Sequence, residues 1–134
     1  MTILGAVVPF ASHCDIEDLG LVDGVSRLRI DIGPHHMNNI GIVHGGVICT
    51  LLDVAMGSAA RVQAGAPVMT VDMHVIFLAA VRGVVTAEGR VIRAGRSILF
   101  AEAEARSESG ETVARSTGVF KRAAGERGDH LPKT

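Results

Sequence analysis

Tryptophan and tyrosine are missing from this chain, and phenylalanine occurs only four times among 134 residues. Sixteen glycines and many alanines take their place. A core built this way is poor in aromatic volume. A subunit of this size then gains from burying surface against a partner, so a homo-oligomer is expected, either a dimer or a tetramer. Cysteine is scarce too. Cys14 and Cys49 form no CxxC pair, which excludes a disulfide framework and suits a reduced cytoplasm. Neither charge sign dominates: 13 Lys and Arg face 14 Asp and Glu, for a formal net charge of −1. That argues against nucleic acid and anionic membrane as partners. No uninterrupted apolar run reaches the roughly 18 residues of a membrane span. The longest, from Val47 to Val62, is broken by Asp53 and contains Arg61 near its end. Met1 to Phe10 is apolar but holds Gly5 and Pro9 and no basic residue, so it reads as an arm or edge element and not as a signal peptide. A GxSxG elbow, a GxGxxG turn and a Walker loop are all lacking, which disfavours serine hydrolases, Rossmann enzymes and P-loop NTPases.

What is present suits one α+β domain over residues 1–134, with its core at about 20–122 and the N-terminal arm and C-terminal tail peripheral. Residues 13–20 read as a short helix or turn. Residues 22–32 read as a strand with one wet face, since Val25, Leu28, Ile30 and Ile32 are spaced among polar residues. Gly33 and Pro34 end it, and a loop follows over 35–43. A helix is predicted from about Gly45 to Gln63, stopped by Gly65-Ala66-Pro67. It is apolar nearly all round, which predicts burial. Strands follow over 68–79, 84–93, 96–107 and 112–122, with turns at Ala94-Gly95 and Ser109-Gly110. In the first of these, Val71, Met73, Val75 and Phe77 share a face by the two-residue period. The tail from Ala123 is polar and expected to fray. An antiparallel sheet wrapped around one long central helix satisfies this order.

The helix carries one anomaly. Asp53 lies among aliphatics, with Cys49, Thr50 and Gly57 three or four residues away. An unpaired buried carboxylate costs several kcal/mol, so Asp53 has either a structural partner or a chemical role. Gly57 costs roughly 1 kcal/mol against alanine in a helix interior, which points to close approach by a substrate or another helix. At the helix start, His44-Gly45-Gly46 presents free backbone N–H groups at the positive end of the dipole. Such a place suits an oxygen that gains charge, and equally suits a tight entry into the helix.

Together these residues resemble a known family. The run Asn38-Asn39-Ile40-Gly41-Ile42-Val43-His44-Gly45-Gly46, followed by Leu51-Leu52-Asp53, is similar to the signature of PaaI-like hotdog thioesterases. Val71 to Leu78 and Gly95-Arg96-Ser97 also match that pattern, and the likeness covers about residues 20–122. The resemblance implies a hotdog fold and hydrolysis of an acyl-CoA thioester, with Asp53 as nucleophile or general base. It implies that the Gly45 N–H polarises the carbonyl and that Asn38 places the reacting group or water. Thr70 stands where relatives often carry a serine that holds the attacking water. It further implies a site shared between two subunits, CoA as part of the substrate, and no separate cofactor.

His44, Gly46, Gly57 and Arg96 are candidate substrate contacts. Arg82, Arg90 and Arg93, with Arg96, could reach CoA phosphates or could simply be solvated. Asp72 and His74 fall on the second face of their strand and read as structural. His35 and His36 could join His44 around a metal, but no carboxylate pattern supports this, and no metal is expected. The rivals are a hotdog acyl-CoA hydratase or dehydratase and a non-catalytic acyl-CoA-binding protein. The former calls for a proline-glycine helix entry, and Gly45-Gly46 has no matching proline.

Overall fold

The computed structural model describes residues 1–123. A short helix, α1 (Pro9–His13), precedes strands β1 (Glu17–Val22) and β2 (Val25–Asp31). The long helix α2 (Gly45–Ala64) is followed by β3 (Val68–Phe77), β4 (Val84–Ala94), β5 (Ile98–Ser107) and β6 (Thr112–Arg122). The six strands form one antiparallel sheet in the order β1-β2-β4-β5-β6-β3, packed on α2. This is the hotdog arrangement expected from the sequence.

Four expectations need correction, two of them in part. Of residues 13–20, expected as a short helix or turn, only the first three end α1 and turn, and Glu17 onward is strand β1; of 22–32, expected as one strand, Val25–Asp31 is β2, whereas Val22 closes β1. Asp23 and Gly24 both have positive φ, 54° and 78°, and join β1 to β2 as a two-residue primed turn, with Val22 paired to Val25. The N-terminal arm is not peripheral either. Ile3, Ala11, Cys14 and Ile16 are buried in the core, and Arg61 of α2 donates to the carbonyls of Ile3 and Leu4. Finally, α2 is not buried all round. Ile48, Leu51, Leu52, Ala55, Met56, Ala59 and Ala60 are buried, whereas Cys49, Thr50, Asp53, Val54 and Gly57 are only partly covered. By length and composition alone α2 could cross a membrane; its apolarity is accounted for by the face it lays on the sheet. The tail expected to fray lies outside the described residues, except Ala123, which is buried with its N–H on the Pro67 carbonyl.

Small residues set the distance between helix and sheet. Ala87, Ala101, Ala103, Ala105 and Ala114 are buried on the helix-facing side. At Gly89 of β4 the approach is closest: a β-carbon there would lie 2.4 Å from the Ala55 carbonyl carbon and oxygen. A buried hydrogen bond of 2.8 Å between Ser26 and Ser58 ties β2 to the same helix. Gly65, in the left-handed region, ends α2 by donating to Arg61 and Val62.

The outer face of the sheet is charged, with ion pairs Arg27–Glu88, Arg90–Glu102 and Arg29–Glu17. Glu104 lies between Arg106 and Arg115. Burial would raise its carboxyl pKa, but the Thr112 hydroxyl and the two guanidinium groups outweigh burial and hold it below the usual range.

Gly89→Ala is expected to destabilise the protein by about 3 kcal/mol, because the helix backbone must move to admit the methyl group. Urea unfolding measures this. A variant as stable as the parent would show that the helix is not seated on Gly89.

Candidate active site

The helix start is built by His44. Its backbone is extended, and its ring Nδ1 accepts from the Gly46 N–H at 2.8 Å. The Val47 N–H goes to the His44 carbonyl. The Gly45 N–H has no acceptor among the described residues, so it is the donor left available to a bound oxygen. Asn38 turns the preceding loop: its Oδ1 accepts from the Ile40 and Ile42 N–H groups at 3.0 and 3.3 Å. That commits the oxygen to the loop and leaves the Nδ2 amide as the end that can reach a bound group.

Beside this helix start lies a cavity of about 400 Å³. Asn38, Gly45 and Ile48 form part of its wall, and Phe77 with the segment that follows it forms the rest. A β-carbon at Gly45 would come within 3.3 Å of Phe77 Cζ, so glycine leaves the ring its place. Sequence reasoning missed this wall. The available signal was Ile76 to Val81, six apolar residues in a row that break the alternation of β3.

Asp53 sits further along the same helix. Its Oδ1 accepts from the Thr70 hydroxyl at 2.7 Å. This contact depends on an irregularity that the two-residue period cannot show. β3 slips against β6 between Thr70 and Asp72, so Thr70 pairs with Phe120, Asp72 with Val119 and Met73 with Gly118. The bulge takes Val71, 59% exposed, off the face that the two-residue period gives it with Met73 and Val75. Thr70 is turned to the helix instead. Gly57 faces the Phe120 ring, 3.3 Å from where a β-carbon would be, so its close approach is to the sheet of its own subunit.

Within one chain the two halves of the candidate site are apart. Gly45 and Asp53 are eight residues from each other on one helix, about 12 Å along the axis at 1.5 Å per residue. Asn38, His44, Gly45 and Gly46 gather at the helix start; Asp53 and Thr70 gather two turns on.

The other candidates divide cleanly. Arg90 is engaged by Glu102, whereas Arg82, Arg93 and Arg96 are exposed and form no ion pair with any described residue. Asp72 and His74 are exposed on the outer side of the sheet, away from Asp53. A second cavity of similar volume lies there, bordered by His74, Glu88, Arg90, Glu102 and Arg115. Its charges largely pair with each other, and it contains neither Asp53 nor Gly45. His44 does not join His35 and His36: its ring caps α2 through Nδ1 and lies outside the cluster that those two histidines form. Asp15, His35 and His36 do cluster. However, His36 uses both ring nitrogens, accepting from Gly33 N–H at Nδ1 and lying 2.8 Å from the Cys14 carbonyl at Nε2. Neither cysteine is set up as a nucleophile. Burial first, and a neighbouring carboxylate second, push both thiols up; the carboxylate is Asp15 beside Cys14 and Asp53 beside Cys49.

Comparison with known proteins agrees with this architecture. The model of the thioesterase superfamily matches residues 40–114. A candidate esterase of Halobacterium salinarum is 38% identical over 87 residues, which cover 60% of this chain and 58% of that protein. A conserved protein of Pseudomonas aeruginosa superposes with a TM-score of 0.83 at 30% identity, over 87% of this chain and 95% of that one. The PaaI protein of the Escherichia coli phenylacetic acid degradation operon superposes equally well, at 0.83, with 21% identity and 89% and 87% coverage. The fold and the family match define a hotdog protein of the hydrolase class. The chain belongs to the thioesterase superfamily.

The Asp53–Cys49 proximity gives a direct probe of the carboxylate. Asp53→Asn removes the negative charge, so the Cys49 thiol pKa should fall. Alkylation of Cys49 by iodoacetamide at mildly alkaline pH should then be faster than in the parent, as followed by peptide mass. Equal rates in a folded variant would show that no ionised carboxylate stands beside the thiol.

Proposed function

We propose that the protein hydrolyses acyl-CoA thioesters to the free acid and CoA, at a site assembled from Asn38 and Gly45 of one subunit and Asp53 and Thr70 of another. The observation that carries this reading is the division of donor and carboxylate along a single helix. One carbonyl group cannot meet the Gly45 N–H and Asp53 of the same chain when about 12 Å of helix separates them. Strand β3 offers the remedy. It is an edge strand, and its Met69, Val71, Ile76 and Phe77 are exposed. Pairing it antiparallel with its copy about a two-fold axis places the Phe77 end of one strand beside the Thr70 end of the other. The same operation carries Gly45 of one chain toward Asp53 of the other.

In that setting the thioester oxygen accepts from the Gly45 N–H, and Asp53 takes a proton from water. The water oxygen bonds to the carbonyl carbon, the C–S bond breaks, and the CoA thiolate leaves and is protonated. The Thr70 hydroxyl orients the carboxylate and keeps lone pairs for that water, which favours Asp53 as base over Asp53 as nucleophile. His44 holds the helix start in place and takes the Gly46 N–H out of competition. Arg82, Arg93 and Arg96, exposed and in no ion pair with any described residue, are suited to the CoA phosphates. CoA is part of the substrate, so this chemistry calls for neither cofactor nor metal. A reduced cytoplasm fits the two thiols and the acyl-CoA pool.

Asp53→Asn is expected to lower kcat by roughly 10² or more with little change in KM. Thiol release from acyl-CoAs, read with a thiol dye, measures it; a folded variant within a few-fold of the parent would remove Asp53 from the chemistry. The shared site has its own test. Asn38→Ala and Asp53→Ala are each made inactive, mixed unfolded in equal amounts and refolded together. Random pairing makes about half the dimers mixed, and each mixed dimer has one undamaged site, so about a quarter of parental activity should return. A mixture that stays inactive, with mixed dimers confirmed by mass, would place each site within a single chain.

A further inference from the structure

Two consecutive histidines, His35 and His36, precede the loop that carries Asn38, and the hydrolytic reading uses neither. His35 is exposed, with its Nε2 2.6 Å from the Asp15 carboxylate. His36 is 2% exposed, and its own chain alone buries it, so its contacts call for no partner subunit. Its tautomer follows from those contacts. The Gly33 N–H can only donate, so Nδ1 accepts it, at 2.9 Å, and carries no proton. Nε2 therefore carries the proton and donates it to the Cys14 carbonyl at 2.8 Å, at the end of α1. The main chain is engaged as well. The His36 N–H donates to the Gly33 carbonyl, and the His36 carbonyl accepts from the N–H of His44, the residue that caps α2.

These bonds join three stretches of chain at one buried ring. Cys14 closes α1, Gly33 follows β2, and His44 opens α2. Between His36 and His44 the chain makes a small hairpin, in which Met37 pairs with Val43 and the Asn38 N–H donates to the Ile42 carbonyl at 2.8 Å. Asn38 lies two residues beyond His36, and Gly45 one residue beyond His44. Both ends of the hairpin meet at His36, so its ring fixes where the hairpin stands on the core, and with it the places of the Asn38 amide and the Gly45 N–H. An apolar side chain of similar size fills the space but leaves the Cys14 carbonyl and the Gly33 N–H without the partners they have here.

We propose that His36 is a positioning residue of the candidate site: its ring, held between the Gly33 N–H and the Cys14 carbonyl, sets Asn38 and Gly45 against the reacting carbonyl without itself touching the substrate. This rests on the hydrolytic reading above for the reaction, but not for the arrangement of the loop. Asn38 and Gly45 both act on the group that reacts, so a displaced loop lowers kcat and leaves KM nearly unchanged.

The test compares the parent with His36→Leu, His36→Asn and His36→Gln, and with His35→Gln as the control at the exposed neighbour. Asparagine can offer its carbonyl to Gly33 in place of Nδ1, and glutamine its amide to Cys14 in place of Nε2. Activity is thiol release from octanoyl- and phenylacetyl-CoA, expressed per folded protein. His36→Leu should lower kcat by about thirtyfold with KM within about twofold of the parent. Asparagine and glutamine should each recover part of the loss, and His35→Gln should keep the parental rate. Hydrogen exchange followed by mass supplies a readout that needs no activity. In His36→Leu, peptides covering residues 36–46 should exchange about tenfold faster than in the parent, measured relative to peptides of β5. If the leucine variant does not fold, the asparagine and glutamine variants each remove one bond and should show smaller changes of the same kind. Parental kcat in all the folded His36 variants would overturn the positioning role, as would a kcat loss in which 36–46 and β5 loosen equally. No hydrolysis by the parent, with exchange raised selectively at 36–46, would overturn the hydrolytic reading while supporting the hold of His36 on the loop. No hydrolysis with uniform exchange would overturn both.

Discussion

Helix α2 and strand β4 meet backbone to backbone where Gly89 lies under Ala55, and the rest of the subunit is arranged around that contact. A chain without Trp or Tyr cannot fill a wide gap between helix and sheet. It closes the gap instead, with glycine at the tightest point and alanines on β4, β5 and β6 around it. Close seating restores packing density without large side chains. It also fixes the height of α2 above the sheet, and therefore the reach from the helix to the strands on either side.

That fixed height explains why the candidate catalytic groups come from strand irregularities as well as from the helix. Asp53 is held at one level by the helix, and Thr70 reaches it because β3 bulges at Val71. The other end of the same strand brings Phe77 to Gly45. One edge strand thus touches both halves of the candidate site, eight residues apart on the helix and seven apart on the strand. The spacing is similar on the two elements in count but not in length, since a strand rises about 3.3 Å per residue and a helix 1.5 Å.

Much of this was legible in the sequence, for identifiable reasons. Helix α2 announced itself by its apolar run and by Gly65-Ala66-Pro67, and its observed end at Ala64 is one residue from the expected one. Strands β4 to β6 were marked by period and turns. Asp53 stood out because a carboxylate in an aliphatic helix needs a reason. What could not be read depended on contacts between distant residues. The bulge at Val71 breaks a pattern that looks regular in the sequence, so Thr70 was placed by family likeness and not by period. Gly89 looked like any strand glycine until the helix lay across it. Gly57 looked like a substrate contact, and its neighbour is Phe120. The Asp23-Gly24 turn was there to be read, but the apolar spacing across it hid the break between β1 and β2.

The hydrogen bonding at the start of α2 limits what can bind there. Phosphate and sulfate settle at helix starts when several neighbouring amides point at them together. Here the imidazole of His44 occupies one amide and its carbonyl another, which leaves Gly45 to act alone. A lone N–H suits a single oxygen on a flat carbon and gives a tetrahedral oxyanion such as inorganic phosphate little to grip. The helix end can thus lend its field to a single bound oxygen, while anions that need several amides compete poorly for it.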